Sequence, residues 1–102
     1  MAGGIEIKKG DTIIVKRGVR DEEGGFDMGG WKGTVTLADD EMADVTWSGE
    51  TLRRMSDEVL QLAEDMDIYT YTIALEDIEV FSFSETPEEY KLAKKEVQAR
   101  LP

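Results

Sequence analysis

Apolar positions recur along this chain with two different periods. Residues 11–17 (DTIIVKR) alternate, with Ile13 and Val15 on one side and Thr12, Ile14 and Lys16 on the other. That two-residue period belongs to a half-buried strand. Residues 32–38 (KGTVTLA) repeat it, with Val35 and Leu37 facing one way and Thr34, Thr36 and Ala38 the other. Residues 44–48 (DVTWS) put Val45 and Trp47 in phase. Between these two runs lie Asp39, Asp40, Glu41, Met42 and Ala43, too many for a two-residue turn, so a longer hairpin loop is expected. Gly33 suits a tight bend at the start of the hairpin.

Residues 49–55 (GETLRRM) then suggest a short turn followed by an irregular or edge strand. After them the period lengthens. Val59, Leu62, Ala63 and Met66 fall at i, i+3, i+4 and i+7, and Leu60 widens their face. Ser56 is a good N-cap, and Asp57 and Glu58 suit the positive end of a helix dipole. A short helix over residues 56–66 follows. Residues 68–75 (IYTYTIAL) are β-branched and aromatic, hence a strand, guarded against edge pairing by Asp65, Asp67, Glu76 and Asp77. Residues 78–83 (IEVFSF) make a last strand. Thr86, Pro87 and Glu89 form a capping box with proline at the first helical position, predicting a helix over residues 87–101. Its apolar stripe is Tyr90, Ala93, Val97 and Leu101, with Lys94, Lys95 and Arg100 toward the end that favours cations.

This order predicts one domain, mainly β with two helices. It is a small SH3-like β-barrel of five to six antiparallel strands over about residues 8–83, with the C-terminal helix appended. Residues 18–30 (GVRDEEGGFDMGG) carry five glycines and four carboxylates and predict a long loop. Loops of that length are often functional. Val19, Phe26 and Met28 would tuck it against the barrel.

Composition narrows the chemistry. The chain has 102 residues, without cysteine or histidine. Disulfides, thiolate metal sites and the commonest general base are therefore gone. Nor does a phosphate-binding glycine motif lead into a helix, so an enzyme is not expected. No long apolar run predicts a membrane span, and the N-terminus lacks an apolar signal core, so the expected location is cytoplasmic. The net charge is −11 and uneven: +3 over residues 1–20, −15 over residues 21–85, and +1 over residues 86–102. Such a middle repels phosphate backbones, which argues against direct nucleic-acid binding. It favours a divalent cation or a basic protein partner.

The runs KGDTIIV (residues 9–15), GVRD (18–21) and GWKGTV (30–35) resemble the start of the small acidic calcium-binding proteins first known from cyanobacteria. Val45, Thr46 and Trp47, then Thr51 and Leu52, Met55, and LEDIEV (75–80) are similar to that family's continuation, so the resemblance covers about residues 8–81. It omits the C-terminal helix. The family commonly has an acidic residue after the strand tryptophan, where this chain has Ser48. The resemblance implies a barrel whose surface carboxylates bind Ca²⁺ with modest affinity.

Three acidic clusters are candidate ligands for a hard cation, which takes six to eight oxygens. They are Asp21, Glu22, Glu23 and Asp27 in the glycine-rich loop, Asp39, Asp40, Glu41 and Asp44 at the hairpin tip, and Glu64, Asp65 and Asp67 at the helix end. The EF-hand spacing does not occur, so a shared site built from two loops is the form expected. Trp47 is expected in the core, whereas Trp31, among glycines, is a candidate ligand platform. Arg53 and Arg54 are expected to pair with nearby carboxylates. Two functions follow: a calcium buffer or weak sensor, and a protein-interaction barrel presenting an acidic face to a basic partner. A homodimer contact is expected at the C-terminal helix, whose stripe must dock on something.

Overall fold

The hairpin forms where the alternation puts it. In the computed structural model, which describes residues 6–22, 24–66 and 69–101, β2 (Lys32–Ala38) pairs antiparallel with β3 (Met42–Trp47). The remaining strands are β1 (Thr12–Val15), β4 (Thr70–Ala74) and β5 (Ile78–Val80). A single 3-10 turn, Leu75–Asp77, leads from β4 into β5. The sheet order is β4-β3-β2-β1-β5, antiparallel throughout. β4 and β5 are its two edges and do not pair with each other, so the sheet is open.

Three helices accompany the sheet: α1 (Gly49–Arg54), α2 (Asp57–Met66) and α3 (Pro87–Ala99). α1 corrects the expected turn and edge strand over residues 49–55. Its cause is local. The Ser48 hydroxyl accepts the Thr51 N–H at 3.1 Å, Glu50 sits in the first turn, and Arg53 and Arg54 sit in the last. Capping and dipole complementarity outweigh the weak strand signal there. No helix among the described residues is long and apolar enough to cross a membrane.

Other differences lie at element ends and at one bulge. The last strand stops at Val80 rather than residue 83, and α3 stops at Ala99. In β2 the register slips between Val35, opposite Val45, and Leu37, opposite Asp44. The extra residue breaks the alternation. Val35 is 1% exposed whereas Leu37, expected on the same face, is 63% exposed.

The core lies on one side of the sheet. Ile13, Val15, Val35, Val45, Trp47 and Ile78 point into it from the strands, and Leu52 and Leu60 close it from the helices. Gly33 is required for closeness more than for a bend. A Cβ there would stand 2.4 Å from Val45 Cγ1 and 2.7 Å from the Thr46 carbonyl oxygen.

α3 answers where its stripe goes. Ala93 and Val97 are buried, and Tyr90 and Leu101 pack against the core. Ala93 meets α1 at Gly49, where a Cβ would approach Ala93 Cβ to 2.6 Å. The Gly49 N–H donates to Glu85 Oε2 at 2.9 Å, so a carboxylate ahead of α3 satisfies the start of α1. Arg53 pairs with Glu96 at 2.8 Å. Arg100 donates to the carbonyls of Arg53 and Met55 and pairs with Asp57 at 2.5 Å. The stripe therefore docks within the chain, which removes the reason for expecting a homodimer contact there.

Candidate functional site: a cleft between the glycine-rich loop and the fourth strand

The glycine-rich loop is a small folded unit. Arg20 and Asp27 form an antiparallel bridge, and Met28 donates its N–H to the Val19 carbonyl at 2.9 Å. The turn is closed by Gly25 N–H to the Asp21 carbonyl at 2.9 Å, with Gly25 at φ +70°, a conformation glycine adopts without strain. Arg20 reaches across to the Gly25 carbonyl at 2.9 Å.

Two features fasten this unit to the sheet. The Asp21 carboxylate accepts the Gly24 N–H through one oxygen and the Tyr71 hydroxyl of β4 through the other. Aromatic rings make the second connection. Phe26 stacks on Trp31 at 5.6 Å, Trp31 meets Trp47 edge-on at 5.2 Å, and Trp47 lies 5.9 Å from Tyr71. Such pairs add attraction beyond the area they bury. Loop and strand are thereby joined in a closed circuit running from Asp21 through four rings and back. Trp47 is fully buried, as expected. Trp31 is half-buried between Phe26 and Trp47, so those contacts occupy the ring proposed as a ligand platform.

Between the loop and β4 runs a cleft of about 570 Å³. Its apolar surface comes from Val19, Met28, Met42, Leu62 and Ile73, and its carboxylates are Asp21, Glu22 and Asp77. Asp21 is engaged internally, which leaves exposed Glu22 and half-buried Asp77 as charge facing a ligand. This combination suits a ligand with an apolar anchor and a positive charge.

The acidic residues singled out in the sequence are placed as follows. Asp21 and Glu22 line the cleft. Asp27 accepts the Gly29 N–H at 2.9 Å. At the hairpin tip one Asp39 oxygen accepts the N–H groups of Glu41 and Met42, both at 2.8 Å. Those two donors, Met42 first, hold its carboxyl below the ordinary aspartate value of 3.8. Asp40 and Glu41 are exposed. Asp44 lies in β3 and accepts the Thr72 hydroxyl at 2.6 Å. Glu23 and Asp67, with the side chains of Glu64 and Asp65, lie outside the described residues. Among the described residues no group of three or more carboxylates gathers closely enough to hold a metal ion. The four aspartates Asp21, Asp27, Asp39 and Asp44 serve as acceptors for the chain's own N–H and O–H groups.

Tyr71, Met42 and Leu62 belong to the cleft, and sequence reasoning did not single them out as site residues. Tyr71 carried a signal, since it is in phase with Ile73 in its strand. Met42 and Leu62 looked like loop and helix-face residues, and only the fold brings them together.

Compared with protein-family models, curated proteins and solved structures, the chain matches none.

Proposed function

We propose that this chain is a non-enzymatic, cytoplasmic protein-interaction module whose cleft takes a basic segment of another protein through an apolar anchor. The observation that carries it is the apolar cleft between loop and β4 with Glu22 and Asp77 at its surface. The charge of the surrounding chain, −15 over residues 21–85, would steer a basic partner toward it. We also take the sheet as a member of the SH3-like barrels. The support is a five-strand meander in which β5 returns beside β1 through a one-turn 3-10 helix. The α1–α2 insertion replaces the tight turn between the third and fourth strands.

The test is a titration with basic peptides that contain apolar residues, followed by heat or fluorescence. Binding should weaken steeply as salt rises, weaken in Glu22→Lys and Asp77→Lys, and ignore Ca²⁺. Affinity that survives both charge reversals and high salt would overturn the proposal.

Calcium binding is the competing proposal and is supported by the acidic segments themselves. An ion at Asp21, Asp27, Asp39 or Asp44 would compete with N–H and O–H donors already in place. A rise in Tm with millimolar Ca²⁺, absent with a matched monovalent salt, would favour it.

A further inference from the structure

Resting on the cleft reading, we propose that the basic segment binds as an extended strand added to the free edge of β4. The ladder shows which backbone groups are available. Trp47 N–H donates to the Tyr69 carbonyl at 3.0 Å, and Leu75 N–H donates to the Glu41 carbonyl at 2.9 Å. Odd-numbered residues of this strand therefore turn their N–H and C=O groups toward β3. Thr70, Thr72 and Ala74 turn theirs the other way, and no backbone group among the described residues meets them. β4 is an edge strand. Thr70 and Thr72 are exposed, and Thr72 and Ala74 both line the cleft. Such an edge is a template for a partner strand.

Cleft and edge coincide, because Tyr71, Thr72, Ile73 and Ala74 line the cleft consecutively. A strand laid along them projects alternate side chains to opposite faces. One set meets the apolar floor at Met28, Leu62 and Ile73, and basic residues fall within reach of Glu22 and Asp77. Charge selects the occupant. The Leu75–Glu41 bond places the hairpin tip, with Asp39, Asp40 and Glu41, beside the end of β4. A second copy carrying net −11 would bring like charge to like at this edge, whereas a basic segment relieves it.

Backbone recognition is separable from cleft recognition. Ala74 has φ −67°, which proline adopts naturally, and its N–H lies outside the β3–β4 ladder. Ala74→Pro removes one edge donor while leaving Glu22 and Asp77 in place. The probe is a peptide selected on the intact chain from a random dodecamer display library. It is synthesised unmodified and with N-methyl groups on either set of alternate amides. Three results are expected: basic and apolar residues alternating in the selected peptides, protection of the Thr72 and Ala74 amides from hydrogen exchange on binding, and loss of about tenfold in affinity for Ala74→Pro. N-methylation of one alternate set should weaken binding similarly, and of the other set should not. This arm keeps the proposal testable should Ala74→Pro fail to fold. Equal binding by both N-methylated peptides without amide protection would overturn strand addition. The cleft reading would then stand if Glu22→Lys and Asp77→Lys still weaken the complex. Failure to enrich any peptide, or indifference to both charge reversals, would overturn the cleft reading and strand addition together. Protection of the same amides in a dimer without peptide would make a second copy the occupant and overturn the basic segment.

Discussion

The Tyr71 hydroxyl donates to the Asp21 carboxylate across 50 residues of chain. That bond makes the glycine-rich loop one side of a defined cleft. It predicts an unequal pair of substitutions. Tyr71→Phe removes one hydroxyl and should cost about 0.5–1.5 kcal/mol. Asp21→Ala also strands the Gly24 N–H and should cost more, about 1–3 kcal/mol. In urea denaturation the double variant should be less destabilised than the sum of the singles, because both remove the same bond. Strict additivity would show the pair to be uncoupled.

Two glycines are predicted to resist enlargement for different reasons. Gly33→Ala forces a methyl group against Val45 and the Thr46 carbonyl within the ladder. Gly49→Ala forces one against Ala93 where α3 rests on α1. Each should cost about 1–3 kcal/mol. For Gly49→Ala, amide exchange should rise first along α3; for Gly33→Ala it should rise across β2 and β3.

The bulge in β2 makes opposite predictions for two apolar neighbours. Val35→Thr places a hydroxyl in the core and should lower Tm markedly. Leu37→Thr acts on a side chain 63% exposed and should change stability by no more than about 0.5 kcal/mol. Comparable losses at both positions would show that Leu37 faces the core after all.

Asp39 gives a pH dependence with a definite sign. Its carboxyl lies below the ordinary value of 3.8 because two N–H groups favour the charged form. The stabilisation it supplies is complete above that value and fades as pH falls through the lower folded one. Asp39→Asn keeps an acceptor but loses the charge. The variant should therefore be less stable than the parent at about pH 6, and the gap should close in strong acid. Denaturation at the two pH values checks it.

Much of the sheet could be read from periodicity, because alternation reports burial directly. Ile13 with Val15 and Val45 with Trp47 sit as their phase requires. The capping box at Thr86 and Glu89 is present in both directions. α1 escaped notice because only six residues long, it shows little of its period, and its N-terminal partner, Glu85, is 36 residues away. Leu37 was misplaced because a bulge leaves no mark in an alternating string. The cleft was the least legible part, since Val19, Met42, Leu62 and Ile73 share no local pattern. Carboxylates invited attention as ligands, yet several of them hold turns, a role short polar side chains perform throughout loops.

The strand order also bears on how the molecule is made. β1 lies between β2 and β5, and Ile13 stands opposite Val80. A nascent chain halted on the ribosome before residue 78 can complete one flank of β1 but not the other. Its second flank stays bare through the synthesis of the hairpin, α1, α2 and β4, a window in which a chaperone or a stray strand can reach it. Slow translation near residues 67–77 would lengthen that window.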